Sequence, residues 1–415
     1  MAKYQKYAEY KDSGVEWLGK IPSDWKVVKL SYKLKLLSGD GITAFDIEDT
    51  GTYPVFGGNG LRGFTEQYNC DGEYALIGRQ GALCGNINVA RGKFFATEHA
   101  VVVYPYETFN LTFLSEFLRF MDLGQYSVSA AQPGIAVDRI NTLPIVIPTL
   151  GEQNAIGAFL DHETAKIDSL IAKQEKLIEL LKEKRQAVIS HAVTKGLNPD
   201  VAMKDSGVEW LGQVPEHWEI SPIKFILENK DYKRIPLSAE ERGNFSGDYR
   251  YYGASGVIDY IDDYIFDEPN VLVGEDGANL VNRNTPLAFP AYGKYWVNNH
   301  AHILHPQDGL ADYWAELIEI IDISPLVSGS AQPKLTAEAL KNLKISFPSD
   351  MEERKAIDAF IKQQKAKFDL LISKATDQIK LLKERRTALI SSAVTGKIDV
   401  HNWQHPNEAK TEFSA

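Results

Sequence analysis

Side chains able to read the edge of a nucleic-acid base gather in two glycine-rich stretches of this 415-residue chain. The first stretch carries Asn59, Arg62, Arg79, Gln80, Asn86, Asn88, Arg91 and Lys93. The second carries Arg250, Glu275, Asp276, Asn279, Asn282, Arg283, Asn284, Lys294, Asn298 and Asn299. Arg and Lys bond guanine, Asn and Gln bond adenine, and Asp and Glu accept from the amino group of cytosine, each good bidentate pair giving about 1–3 kcal/mol of discrimination. Ordinary solvated loops use the same residue types. The inference therefore rests on the matched placement of the two sets and on no single position.

Catalytic constellations are missing by comparison. Gly92-Lys93 and Gly293-Lys294 are followed by aromatics and lack the upstream glycine of a phosphate loop. No strand–GxGxxG–helix unit offers a nucleotide cradle, and Asn198-Pro199-Asp200 fails the amino-methyltransferase signature of Asn or Asp, two prolines and an aromatic. His99 and His300 have no nucleophile or carboxylate at matched positions in both copies, and they read as structural histidines. Cys70 and Cys84, the only cysteines, fit no common zinc spacing and read as incidental thiols of a reducing cytoplasm. No catalytic residue and no metal site is expected. No apolar run is long enough to cross a bilayer, and the polar start is unlike a signal peptide, so a cytoplasmic location without membrane contact is expected. The net charge of −11 is unusual for a nucleic-acid binder. Residues 219–350 hold 11 basic against 20 acidic side chains, so binding to DNA would need a local basic patch or help from a partner.

The elements that must position these residues are written twice. KDSGVEWLGKIPSDW at 11–25 returns as KDSGVEWLGQVPEHW at 204–218, and Trp17, Trp25, Trp210 and Trp218 read as packing anchors. The correspondence continues more weakly through short β-type runs. Residues 53–57 match 249–253, 76–82 match 272–278, Glu98-His99-Ala100 matches Asn299-His300-Ala301, and 129–133 match 329–333. On this frame Arg79-Gln80 is replaced by Glu275-Asp276. A shared scaffold with different outward residues suits two different half-sites, whereas an adaptor holding two identical partners would keep those loops alike.

Each copy ends in a long amphipathic pattern without proline. Thr149 with Glu152, and Ser349 with Glu352, have the spacing of a capping box. Apolar residues then recur at helical spacing, with Ile167, Leu170, Leu177 and Leu181 in the first helix. Phe368, Leu371, Ile379 and Leu382 hold such places in the second, and Gly196 and Gly396 follow where left-handed caps want glycine. Helices of this length, each with a narrow stripe, bury their stripes most simply against each other as an antiparallel coiled coil, with Gln174, Gln364 and Gln378 fixing register. The alternative is two independent core helices.

The expected fold is α+β, with two duplicated globular α/β domains separated by two long helices in a circular, pseudo-twofold layout whose termini meet. The boundaries are a signature segment 1–25, a domain 26–150, a helix 151–196, a linker with the repeated signature 197–218, a domain 219–350, a helix 351–396 and a tail 397–415. The tail is expected to be disordered from about residue 401.

The doubled DSGVEWLG-x-[IV]-P-x-x-W signature, with the helix endings 180–185 (LLKEKR) and 381–386 (LLKERR), resembles the specificity subunit (HsdS) of type I restriction–modification systems over essentially the whole chain to about residue 400. The resemblance implies two target recognition domains, each reading half of a split double-stranded DNA sequence. It implies a coiled coil that sets the unread spacer and docks two methyltransferase subunits (HsdM), and through them restriction subunits (HsdR). Adenine N6-methylation with S-adenosylmethionine, and cleavage driven by ATP and Mg, would belong to those partners, with no cofactor in this chain. Recognition domains vary freely in the family, so no base-contact residue is carried over.

Overall fold

A computed structural model describes residues 4–127, 133–243, 247–329 and 332–405. It divides into two compact units: Met1–Gln174 with Asp377–Ala415, and Glu175–Thr376. Most of the matched segments 129–133 and 329–333 lies outside the described residues, leaving Pro133, Gly329, Gln332 and Pro333.

In the first unit six strands form one sheet: β1 (Leu34–Ser38), β2 (Tyr53–Gly57), β3 (Gly60–Thr65), β4 (Cys70–Gly78), β5 (Ile87–Ala96) and β6 (Ala100–Pro105), in the order β1-β6-β4-β5-β2-β3. Every neighbouring pair is antiparallel except β2 with β5. Alternation along the strands divides the apolar residues between two faces. Ala75, Ile77, Val101 and Val103 pack with Phe113 and Phe117 of the helix Leu111–Phe120, while Leu76, Phe94, Ala100 and Val102 form a second cluster. Gly92, at φ +75°, bends β5, and Gly72 lies opposite it with φ +139°, so the ladder continues through the bend.

The second unit repeats this plan with β7 (Leu227–Asn229), β8 (Tyr249–Gly253), β9 (Gly256–Ile261), β10 (Asn270–Gly274), β11 (Ala288–Ala291), β12 (Lys294–Val297) and β13 (Ala301–Pro306). Here the sheet is split into β7-β13-β10-β11 and β9-β8-β12-(Phe266–Asp267). Gly293 bends the chain at φ +71° as Gly92 does. The facing segment is now Glu268-Pro269, and a proline has no N–H for the ladder. The parallel pair recurs as β8 with β12.

The long helices are α1 (Leu150–Lys195) and α2 (Met351–Val394). Each ends as its sequence indicates, with Gly196 at φ +80° and Gly396 at φ +70°. Within the first unit α1 runs antiparallel to α2, marked by Arg386–Asp168 at 2.9 Å and by Ile171 and Leu382 in one core. Within the second, Arg185–Asp369 at 2.9 Å marks the same relation. On each helix, residues at the 4,3,4,3 spacing of a heptad are buried or half-buried: Ile167, Ile171, Gln174, Ile178 and Leu181 on α1, and Phe368, Ile372, Ala375, Ile379 and Leu382 on α2. Leu170, Leu177 and Leu371 are exposed and leave the expected seam, because one residue of helix turns a side chain by about 100°. Gln378 is also exposed, while Gln174 and Gln364 are half-buried.

The capping boxes form differently from their spacing. Thr149 Oγ1 accepts from the Glu152 N–H, but the Glu152 carboxylate turns inward to Trp25 and Tyr7. At α2 the cap is Asp350, whose Oδ1 accepts from the Glu352 N–H, and Ser349 is passed over. Among the signature tryptophans, Trp25 and Trp218 are buried whereas Trp17 is exposed. The disorder expected from about residue 401 is corrected for residues 401–405, which continue a packed segment. Ile398 and Val400 are buried, and Trp403 packs edge-on against Phe159 at 5.6 Å between ring centroids. Residues 406–415 lie outside the described residues. Within the first unit the Asp399 N–H donates to Gln5 O at 2.8 Å, and the termini expected to meet lie outside the described residues.

Candidate nucleic-acid interface

The turns that follow β4 and β10 are held by the same backbone bonds. The Arg79 N–H donates to His99 O at 2.9 Å, and the Glu275 N–H donates to His300 O at 2.9 Å. Arg79 O and Glu275 O accept from the N–H groups of Ile135 and Leu335, at 3.0 and 2.8 Å. Gly81 and Gly277 donate to Pro133 O and Pro333 O at 3.0 Å each, and both glycines hold a positive φ that a side chain would strain. The His99 N–H is held by Thr97 Oγ1, and the His300 N–H by Asn298 Oδ1. Thus Arg79 and Glu275 share one backbone position, and Gln80 and Asp276 the next.

In the first unit this frame gathers several of the sequence-selected residues. Gly58 packs so closely that an added Cβ would stand 3.1 Å from both Gln80 O and His99 O, which brings the β2–β3 turn with Asn59 beside the Arg79-Gln80 turn. Arg62 lies over Gly57, and Asn88 lies beside Gly60 with its Nδ2 buried and unpartnered. Arg79 donates to Ser38 Oγ at 3.2 Å, and Asn59, Gln80 and Asn86 are exposed. Arg91 and Lys93 are not in this group: they stand opposite Glu73 and Asp71, at the other end of the β4–β5 ladder.

The second unit assigns many of its candidates to structural bonds. Glu275 is buried between Arg234, which pairs with it closely, and Lys334 at 3.1 Å, with His302 Nδ1 at 3.6 Å. Burial pushes its carboxyl up, but the bond from Arg234, then His302 and Lys334, outweigh this and hold it below the usual range. Asn298 is buried under the His300 turn. Asn279 closes its loop through two bonds to the Thr285 backbone, and Arg283 donates to Glu319. Asn282 Oδ1 accepts weakly from the Asn284 N–H at 3.4 Å. Asp276 is half-buried in its bond to His300, while His300 and Asn299 are exposed on the frame and Arg250 is exposed on β8.

Two features escaped the residue-type search. Asp276 accepts from His300 Nδ1 at 2.8 Å, whereas among the described residues the acid nearest the His99 ring is Glu98, at 3.5 Å. A lysine–tyrosine group also recurs. Lys93 stands 4.6 Å over Tyr68, which contacts Tyr53 at 5.0 Å. Lys294 stands 4.4 Å over Tyr264, which contacts Tyr249 at 5.2 Å. The repeat itself was the available signal, since His99/His300, Tyr53/Tyr249 and Lys93/Lys294 occupy matched places. Among the described residues no group of His, Cys, Asp and Glu is placed to hold a metal, and no helix is long and apolar enough to cross a membrane.

Comparison with known proteins agrees with this duplication. The type I restriction modification DNA specificity domain matches twice, at residues 22–180 and 215–381. The Escherichia coli type I restriction enzyme EcoprrI specificity subunit is 43% identical over 141 residues, only 33% of this chain and 34% of that protein. The Methanocaldococcus jannaschii MjaVIII specificity subunit is 23% identical over 92% of this chain and 95% of its own. Among solved structures, a chain from work on complex assembly and conformational transition of the type I R-M system has a TM-score of 0.66 at 13% identity, covering 91% of this chain and 99% of that one. The HsdS subunit from Thermoanaerobacter tengcongensis has a TM-score of 0.50 at 14% identity, covering 93% and 100%; these two likenesses concern the fold alone. With the domain model matching both halves and the structure repeating the same reading frame in each, the chain belongs to the type I restriction modification DNA specificity family.

Proposed function

We propose that this chain is the DNA-reading subunit of a type I restriction–modification complex, with each globular domain reading one half of a bipartite target. The observation that carries the reading is the pair of turns at Arg79-Gln80 and Glu275-Asp276. Their backbones are held by the same bonds, while the second side chain of each turn differs in charge and in hydrogen-bonding sense, the Gln80 amide against the Asp276 carboxylate. Two domains of one plan with different reading chemistry suit an asymmetric split site. The long helices set the unread spacer, and their exposed leucines Leu170, Leu177, Leu180, Leu370, Leu371 and Leu381 dock methyltransferase subunits, through which restriction subunits join. Adenine methylation with S-adenosylmethionine and cleavage with ATP and Mg reside in those partners. The net charge of −11 fits a chain that binds DNA weakly alone and gains a basic clamp from its partners.

Methylation mapping tests this. The chain is co-expressed with its modification subunit, and host DNA is sequenced for N6-methyladenine. One bipartite motif, absent when this chain is omitted, is the expected result. No new methylation from a stable complex of the two proteins would overturn it in favour of a protein adaptor.

A further inference from the structure

We propose that Asp276, held by His300, is the residue through which the second domain selects a C·G base pair. The inference rests on the reading given under Proposed function and deepens it.

Three observations converge. First, Asp276 occupies the backbone position that Gln80 holds in the first domain, one residue after the bond to the histidine carbonyl. Second, among the described residues the Asp276 carboxylate is held by His300 and by no Lys or Arg. Adjacent Glu275 is neutralised by Arg234 and Lys334 and is 11% exposed, while Asp276 is 19% and His300 48% exposed. Third, both Asp276 oxygens approach His300 Nδ1, at 2.8 and 2.9 Å. A carboxylate can only accept, so His300 Nδ1 is the donor of this contact, and the remaining lone pairs of the Asp276 carboxylate are acceptors. The Asp276 side chain therefore presents only acceptors to whatever lies in front of it.

The major groove decides what such a surface can read. Guanine shows only acceptors there, and thymine an acceptor and a methyl group. The amino donors are N6 of adenine and N4 of cytosine. Beside adenine N6 lies the N7 lone pair, which repels a carboxylate, whereas beside cytosine N4 lies a C–H. An acceptor-only carboxylate thus favours cytosine. The amide of Gln80, with both a donor and an acceptor, matches the N6/N7 edge of adenine instead. His300 is a positioning residue: it fixes the carboxylate without making the discriminating bond.

The test uses the complex of this chain with its modification subunit. Its methylated motif is determined first, and binding is then measured to duplexes carrying each of the four base pairs at every specified position. Asp276→Asn, which replaces an acceptor with an amide, is expected to move the preference at one position from C·G to A·T. The change in the ratio should be about tenfold or more. Asp276→Ala should lose preference at the same position, which keeps the test sound if the amide variant does not assemble. His300→Ala should weaken that preference severalfold without changing the preferred pair. Every other position, including the whole other half-site, should stay as it is. A wild-type A·T pair at the affected position would overturn the proposal. So would equal weakening on all duplexes, no change at any position, or an altered base preference in His300→Ala alone. Failure of the wild-type complex to recognise any bipartite motif would instead overturn the functional reading beneath it.

Discussion

The Trp25 indole N–H donates to Glu152 Oε1 at 2.8 Å, across 127 residues of sequence, and the bond recurs as Trp218 to Glu353 at 3.0 Å. In each copy the last tryptophan of the signature is thereby fixed to the first turn of a long helix. The acceptors are further shared, Glu152 with the Tyr7 hydroxyl at 2.7 Å and Glu353 with His217 Nε2 at 2.8 Å. A carboxylate in the first turn also suits the positive end of the helix dipole.

Removing either acceptor strands a buried indole N–H, at a cost of about 1–3 kcal/mol. Glu152→Ala is expected to lower stability by that amount, and Glu353→Ala by a similar amount. Glu152→Gln, which keeps an acceptor oxygen, should cost less. Denaturant unfolding of the three variants checks this, and equal losses for Gln and Ala would show that the bond contributes nothing.

The acid cluster under the Glu275-Asp276 turn should make stability depend on pH. Burial raises the carboxyls of Glu275 and Asp231, but the bonds from Arg234 to Glu275 and from His302 to Asp231 lead the opposing effects, and both end below their ordinary values of 4.5 and 3.8. A lowered folded-state value stabilises the fold above the ordinary one, and that contribution is lost as pH falls through the folded one. Melting temperature should therefore drop below about pH 4.5, and Glu275→Gln should flatten the drop while lowering stability near neutrality. A parallel pH profile in the variant would remove Glu275 from the account.

Arg79 and Lys93 are expected to fail differently. Arg79 sits among the matched turns and, among the described residues, its side chain bonds Ser38 alone, whereas Lys93 lies over Tyr68 at the other end of the β4–β5 ladder. Arg79→Ala in the assembled complex should relax one base of one half-site by about 1–3 kcal/mol. Lys93→Ala should weaken binding to all sequences alike and reduce the salt slope by about 1. Binding titrations at several salt concentrations, on matched and single-substituted duplexes, separate the two.

Leucines and isoleucines of α1 should also part company. Ile167 is buried in the first unit's core, and Ile167→Ala should destabilise by about 2–5 kcal/mol. Leu170 and Leu177 are 46% and 43% exposed, so Leu170→Gln with Leu177→Gln should leave stability within about 0.5 kcal/mol per site. The double variant should nevertheless pull down less of the methyltransferase subunit. Unchanged recovery would exclude these leucines from the docking surface.

The sequence alone determined the duplication, the two long helices and their glycine caps. These follow from patterns within a few residues: a 3.5-residue apolar repeat, the absence of proline, and glycine where φ must be positive. It also placed the matched turns, because Gly81 and Gly277 are needed for the backbone whatever the neighbouring side chains do. Tertiary structure decided which polar groups remain to face a partner. Glu275 looks in sequence like Asp276, yet Arg234, 41 residues away, commits it to the interior. Glu152 has the spacing of a capping residue, but Trp25 and Tyr7 claim its carboxylate from across the chain. The seam likewise passed to Ile171 and Ile178 in place of their neighbours Leu170 and Leu177. A helical stripe shows that a face is apolar; only packing against another surface settles which of two adjacent apolar residues points into it.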